Sequence, residues 1–141
     1  MRSERIMNGT WGELWMDGHL VAECYKFQAK ETYNRDKIAM CGSLKPGFKL
    51  TSIDGTGSVG LHKVNSRMLL ALRETTQGRD AVFTLIGKLA DPDSRGQERI
   101  AFSGVRFDDL TIMDWEAGVT GKTEHPFTFD SYEILDAVEA D

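Results

Sequence analysis

The glycine-rich segment Gly55-Thr56-Gly57-Ser58-Val59-Gly60 matches the G-x-G-x-x-G pattern that holds the pyrophosphate of a dinucleotide. Asp80 follows about twenty residues later, where that pattern places a carboxylate for the ribose. The chemistry requires the last glycine to open a helix, because free N–H groups of the first helical turn bind the phosphate. Gly60 leads instead into Leu61-His62-Lys63-Val64, and the first helix signal comes later. We therefore interpret these glycines as positions where two backbones approach closely at the start of a strand.

Side chains that could act as nucleophiles or metal ligands are scattered along the chain. The histidines form no H-E-x-x-H or zinc-finger spacing, and Ser58 does not lie in a G-x-S-x-G elbow. We expect structural or surface roles for His19, His62 and His125. A Cys–His nucleophile pair stays open, because such partners can be distant in sequence.

Carboxylates and aromatic residues show no catalytic pattern either. Asp108-Asp109 most simply caps a turn after a strand, and Glu116 and Glu124 stand alone, so no carboxylate pair in unlike environments is indicated. Core or interface packing explains the aromatic residues better than base stacking, since no basic stripe accompanies them. These aromatic residues are Trp11, Trp15, Phe48 and Trp115. From the sequence we therefore expect a protein that is not an enzyme, with no catalytic residue, no metal site and no cofactor.

Length and composition set further bounds. The chain has 141 residues, with 17 Lys+Arg against 22 Asp+Glu and a formal net charge of −5. This length predicts a single domain, 1–141, and the acidic balance argues against general nucleic-acid binding. No signal peptide and no apolar run long enough to span a membrane is visible, so we expect a soluble protein. Cys24 and Cys41 fit free thiols in a reducing compartment, with a single bridge between them left open.

Period-two alternation dominates the first thirty residues. Asp17-Gly18 lies between alternating runs and predicts a β-hairpin, because both central residues of a type I′ turn need positive φ. The return strand is expected to continue to residue 30 and to carry on one face Val21, Tyr25, Phe27 and Ala29.

The next stretch, 31–56, is less regular. Pro46 cannot donate to a central ladder, so we predict a protruding loop around 42–49 and a strand re-forming at 50–53. A further strand is expected over 57–62. One flanking α-helix is expected at about 66–77, capped by Asn65 or Ser66, with an apolar stripe of Met68, Leu69, Leu72 and Thr76.

The second half is predicted to be β again. Strands are expected at 82–89 and 99–107, joined by a turn at 91–96, and a bulge at Ser103-Gly104 would bring Ile100, Phe102, Val105 and Phe107 to one face. Further strand candidates are 108–115, 116–120 and 126–131, and an acidic tail ends at Asp141. The fold class expected is mainly β, an antiparallel sandwich or barrel with one flanking helix.

An ordered series of segments runs along nearly the whole chain. They are Gly12-Glu13-Leu14-Trp15-Met16-Asp17-Gly18, Gly55-Thr56-Gly57, Lys63-Val64-Asn65-Ser66, Phe83-Thr84-Leu85, Ser94-Arg95-Gly96-Gln97-Glu98-Arg99, Val105-Arg106-Phe107-Asp108 and Pro126-Phe127-Thr128-Phe129-Asp130. In their order and separations these segments resemble the core tail tube protein of contractile phage tails and phage-like particles, in particular the PBSX-type defective-prophage tube family.

The resemblance implies hexameric rings whose sheets join into an inner β-barrel and whose stacking makes a hollow tube inside a sheath. The partners implied are other copies of this chain, a sheath protein, and tape-measure and baseplate or terminator proteins, with no membrane contact. The tube would be either a conduit through which DNA passes transiently without specific binding or, in a bacteriocin-like particle, a spike-tipped needle. It also implies a place in the tail of a particle made in a bacterial cytoplasm. We expect both termini to be flexible and to order only on stacking.

Two hypotheses extend this resemblance. A self-assembly loop is expected to contact a neighbouring subunit or ring through Leu44, Lys45, Pro46, Phe48 and Lys49. Six copies would carry a formal charge of about −30, and an acidic bore would repel DNA phosphate. The alternative function is a soluble β-barrel that binds a small ligand, or an enzyme whose site is not visible in the sequence.

Overall fold

The computed structural model describes residues 3–93 and 96–138. Within these ranges the chain forms eight strands, two short α-helices and two N-terminal 3-10 turns. The strands are β1 (Gly12–Met16), β2 (His19–Leu20), β3 (Cys24–Ile38), β4 (Gly47–His62), β5 (Phe83–Leu89), β6 (Glu98–Phe107), β7 (Lys122–Phe129) and β8 (Ser131–Asp136), and the helices are α1 (Arg67–Ala71) and α2 (Arg73–Thr76). Every strand pair is antiparallel, as expected for the predicted fold class.

The strands make two sheets that share β6. The first contains β2, β1, β5 and β6 in that order, with β8 on the far side of β6, and the second continues from the end of β6 through β7 and β4 to β3. Aromatic rings from both sheets meet between them: Phe102 of β6 lies 5.7 Å from Phe27 of β3 and 5.1 Å from Phe129 of β7, measured between ring centroids. The predicted sandwich with its helix on the flank is therefore confirmed.

A bulge in β6 lets this strand serve both sheets. Gly104 has φ +67°, and the pairing with β5 shifts there by one residue. One edge of β6 pairs with β5. The opposite edge pairs with β8 before the bulge and with β7 after it. Phe102 and Val105 are buried, and Ile100 and Phe107 pack against the same core. The predicted bulge, with four apolar side chains on one face, is confirmed.

The N-terminal hairpin is shorter than the alternation suggests. Asp17 (φ +49°) and Gly18 (φ +82°) form the predicted turn, but β2 ends at Leu20. The chain turns after Val21 and crosses to the second sheet, where β3 pairs with β4. The prediction of one hairpin over thirty residues is wrong. Alternation of apolar and polar residues indicates a half-buried strand, but it does not identify the strand with which that strand pairs.

The stretch expected to be irregular is in fact a long hairpin. β3 and β4 pair from Cys24–Leu61 out to Ile38–Gly47, so the connecting turn occupies 39–46 and residues 47–49 already belong to β4. Polar residues such as Thr32 and Asp36 made β3 difficult to predict from the sequence. Much of this hairpin is exposed to solvent, so its strands do not need alternating apolar residues.

The expected helix is divided into α1 and α2 at Leu72. Asn65 Oδ1 accepts a hydrogen bond from the Arg67 N–H (3.1 Å), and Met68 and Leu72 are buried. Arg67 Nε also donates to Glu23 Oε1 (2.7 Å), which fastens the helical region to the turn before β3.

Two expectations near the C-terminal end need correction. Residues 108–121 contain no strand, because none of their backbone forms a ladder with a neighbouring strand. Residues 132–136, expected to belong to the tail, form with Ser131 the strand β8 along β6. Ser94 and Arg95 of the predicted 91–96 turn lie outside the described residues. The first two residues of the chain and the last three residues of the acidic tail also lie outside them.

Candidate assembly surface

The glycine motif lies inside β4, which continues to His62, so no helix opens at Gly60. Gly55 and Gly57 are the cross-strand partners of Phe129 and Phe127. A Cβ on Gly55 would lie 2.7 Å from Phe129 Cε2, and a Cβ on Gly57 would lie 2.5 Å from Phe127 Cζ. The glycines are sites of close approach, where they make room for two core aromatic rings and neighbouring backbone. The predicted place at the start of a strand is wrong, because β4 begins eight residues before Gly55.

Asp80, the residue at the ribose-binding spacing, forms an ion pair with Arg106 (Oδ2 to Nε, 3.1 Å). Arg106 Nη1 also lies 3.3 Å from Asp130 Oδ2, which places Asp80 in a surface ion cluster.

The three histidines occupy different elements and environments. His19 is exposed on β2, and the ring of His62 stacks at a tilt on Tyr25 with centroids 4.8 Å apart. His125 is buried on β7, where Nε2 lies 2.9 Å from Thr123 Oγ1 and Nδ1 has no hydrogen-bond partner among the described residues. Burial lowers the pKa of His125 below 6.5, so the neutral imidazole is favoured.

The carboxylates and thiols do not converge on one site. Glu124 pairs with Lys26 at 3.3 Å, and the Asp108 N–H donates to the Pro126 carbonyl (2.9 Å). Cys24 is half-buried, which raises the pKa of its thiol, whereas Cys41 is exposed and both thiols are free. Across residues 3–93 and 96–138, no three His, Cys, Asp or Glu side chains are grouped to hold a metal ion.

The outer half of the β3–β4 hairpin projects beyond the sandwich. β7 covers β4 only from Gly55 to His62, so residues 32–54, here called the arm, form a ribbon of two strands. An isolated two-stranded ribbon is marginally stable in water unless one of its faces is covered. The arm therefore has the geometry of an element that packs on another molecule.

One face of the arm, here called its apolar face, combines exposed apolar side chains with the basic residues Arg35 and Lys37. The cross-strand pairs Tyr33–Ile53, Arg35–Leu50 and Lys37–Phe48 lie on the same side of the ribbon as Phe27, which packs in the core. Phe48 is 66% exposed, and Tyr33, Leu50 and Ile53 are also exposed. The apolar face of the second sheet thus extends past the core with nothing from the described chain covering it.

The other face of the arm is polar. Asn34 Nδ2 donates to Ser52 Oγ (3.0 Å) and to Asp54 Oδ2 (2.8 Å). Polar side chains, most of them hydroxyls and amides, continue this face along the body of the sheet, where they pair as Gln28–Ser58, Lys30–Thr56 and Thr56–Thr128. The arm is therefore an amphipathic ribbon, with one face suited to contact with another protein and one face suited to solvent.

The residues predicted to form a self-assembly loop lie at the tip of the arm. Leu44 is fully exposed, Lys45 and Lys49 are exposed, and Pro46 is half-buried. The Ser43 hydroxyl donates to the Lys45 carbonyl (3.0 Å), which helps to define the turn. The structure places all five predicted residues at the protruding end of the arm, with Phe48 on its apolar face and Lys49 on its polar face.

A second exposed apolar surface lies at the other end of β4. Residues 108–121, here called the acidic segment, lead into β7 beside His62, and the Lys63 N–H donates to the Gly121 carbonyl (2.9 Å). Trp115 is 80% exposed, and Ile112, Met113 and Val119 are also exposed. We did not predict this surface, although the run Asp108-Asp109-Leu110-Thr111-Ile112-Met113-Asp114-Trp115-Glu116 mixes apolar and acidic residues in a way a buried strand would not.

Two further features could take part in assembly. Among the described residues β3 pairs only with β4 and β8 only with β6, so each presents a free edge. Between β1 and β3 the two sheets separate around a cleft of about 820 Å³, whose apolar lining includes Leu14, Phe27, Leu89, Ile100 and Phe102.

Sequence comparisons find clear relatives. A family model described as phage tail tube protein matches residues 1–136. The phage-like element PBSX protein XkdM of Bacillus subtilis (strain 168) is 30% identical over 137 residues, which cover 95% of this chain and 93% of that protein.

Solved structures share the fold at low identity. One chain of the PVC sheath/tube terminator of an extracellular contractile injection system, in its extended state, matches with a TM-score of 0.78 and 6% identity, over 96% of this chain and 100% of that one. A chain of the corresponding sheath-tube complex matches with a TM-score of 0.75 and 7% identity, over 96% and 95%. No helix within the described ranges is long and apolar enough to cross a membrane.

Proposed function

The chain belongs to the phage tail tube protein family and is a structural subunit of such a tube, and from this premise we propose that copies form hexameric rings that stack inside a contractile sheath. The observation that carries this proposal is the arm: a two-stranded ribbon whose apolar face lies open beyond the core. Such a face requires a cover, and repeated copies of the same chain supply one at every level of a tube.

Electron microscopy of the purified chain tests this proposal, with and without a co-expressed sheath protein. We expect rings or tubes of uniform bore. Replacing residues 39–46 with a two-residue Asn-Gly turn, which joins the paired residues Ile38 and Gly47, should abolish tubes while leaving the thermal unfolding transition of the subunit nearly unchanged. Isolated monomers under all conditions would contradict the proposal, and normal tubes from the loop variant would remove the loop from the interface.

The polar face of the second sheet is our candidate for the wall of the bore. It presents hydroxyl and amide groups of Gln28, Thr32, Asn34, Ser52, Thr56, Ser58 and Thr128. Its charges include the ion pairs Lys26–Glu124 and Arg106–Asp130, so this wall would be polar with mixed charge rather than uniformly acidic. A polar wall with paired charges lets DNA pass without a binding groove.

The partners proposed beyond the tube are the sheath, tape-measure and baseplate or terminator proteins. Similarity to chains from a sheath-tube complex and a tube terminator supports this assignment. Co-sedimentation of assembled tubes with the sheath protein tests it. The expectation that both termini order only on stacking stays a prediction, and hydrogen exchange in monomer and tube would check it.

Ligand binding is the second candidate function, favoured by the cleft between β1 and β3. Its volume and apolar lining lie in the range of small-molecule sites. A monomer whose melting temperature rises with an apolar ligand, and which never assembles, would support this function against the structural one.

A further inference from the structure

The two exposed apolar surfaces lie at opposite ends of one strand. β4 begins at Gly47 beside the arm tip and ends at His62 beside the acidic segment. Its 16 residues span about 50 Å at roughly 3.3 Å per residue. The arm of one molecule therefore cannot reach its own acidic segment, and a contact between the two surfaces must join separate copies.

The charges of the two surfaces are opposite. Over residues 32–54 the arm carries four basic and two acidic residues, which are Arg35, Lys37, Lys45, Lys49, Asp36 and Asp54. Asp36, Lys49 and Asp54 lie on the polar face, so the charged residues on the apolar face and in the turn are all basic. From Asp108 to Gly121 the acidic segment carries four acidic residues and no basic one, and these are Asp108, Asp109, Asp114 and Glu116. The charged groups of both surfaces are exposed and surround exposed apolar side chains.

We propose that the basic, apolar arm of one subunit docks on the acidic segment of a subunit in the next ring. Tyr33, Phe48 and Leu50 would cover Ile112, Met113 and Trp115, and the ammonium groups of Lys37, on the same face, and Lys45, in the turn, would face the Asp114 and Glu116 carboxylates. This contact joins unlike surfaces, and a head-to-tail contact that does not close on itself generates an open filament. This contact rests on the proposed function, and it identifies the two surfaces through which neighbouring rings would bind.

Charge reversal tests the contact. The double variants Lys37→Glu/Lys45→Glu and Asp114→Lys/Glu116→Lys should each still form rings but require about tenfold more protein to elongate into tubes, because attraction becomes repulsion. Combining all four changes should restore elongation. Arg73→Glu/Arg79→Glu changes the net charge of exposed residues by the same amount as the first variant and should elongate normally.

A cross-linking measurement keeps the test informative if a variant assembles poorly. In a Cys24→Ser chain that also carries Asp114→Cys, a short bismaleimide should join Cys41 of one subunit to position 114 of the next and produce a covalent ladder. Normal elongation of both reversed variants, or cross-linking only through Cys41 pairs, would overturn this contact while tubes remain visible. Failure of the unmodified chain to form rings or tubes would instead overturn the proposed function.

Discussion

Phe127 occupies the space that a side chain on Gly57 would need. The two residues are cross-strand partners on β7 and β4, and Phe127 is fully buried. The Phe127 ring also stacks on Phe27 with centroids 5.9 Å apart, which links β7 to the edge strand β3. Gly57 and the Phe127 ring therefore pack together in the core, next to the point where the arm begins.

Gly57→Ala should destabilise the subunit by about 1–3 kcal/mol, because the added methyl group overpacks this site. The Cβ would meet both the Phe127 ring and the Gln28 carbonyl, so movement of the ring alone does not relieve the clash. Urea unfolding at neutral pH measures the change. Gly9→Ala is the matched control, since no atom lies within 4 Å of a Cβ built there. Equal stability of the two variants would contradict this account of the glycine motif.

The buried imidazole of His125 should make stability depend on pH. Burial lowers the pKa of His125, and Lys63 lowers it further, while Asp109 acts in the opposite direction. The unfolded chain then binds more protons than the folded one, so the free energy of unfolding should fall as pH drops below about 6.5.

His125→Gln should flatten this dependence between about pH 6.5 and 5, above the range near 4 where exposed carboxylates titrate. His19→Gln, at an exposed position, should retain it. Chemical unfolding across this pH range provides the measurement. The same slope in both variants would show that His125 is not the group responsible.

The two thiols should react at different rates. Cys41 is exposed at the arm, whereas Cys24 is half-buried, and burial together with the charge of Glu23 raises the pKa of the Cys24 thiol. Because the thiolate is the reactive form, Cys41 should be labelled by a disulfide reagent several times faster at neutral pH. Cys41→Ser should remove the fast phase. A single fast phase from Cys24 would contradict the burial described here.

The sequence predicted local chemistry better than long-range pairing. The Asp17-Gly18 turn and the Gly104 bulge were predicted because each needs residues that tolerate left-handed backbone. The partner of β3 and the strand β8 were not, because alternation does not identify the neighbouring strand. The arm loop was predicted from Pro46 and exposed apolar residues. The exposed surface of the acidic segment was missed because its apolar residues were assigned to strands at 108–115 and 116–120, although the acidic residues between them argue against burial.

Polar substitutions on the apolar face of the arm should separate folding from assembly. Phe48→Ser and Ile53→Ser replace exposed side chains, so we expect each to change the stability of the monomer by no more than about 0.5 kcal/mol. Both should nevertheless suppress tube formation, because the proposed covering surface would lose its apolar partner. Thr32→Ser and Lys30→Gln, on the polar face, are the matched controls and should assemble normally. Thermal unfolding of the monomer and electron microscopy of the assembly give the two readouts. Tubes of normal length from Phe48→Ser and Ile53→Ser would show that this face stays in solvent, and the arm would then need a different role from docking.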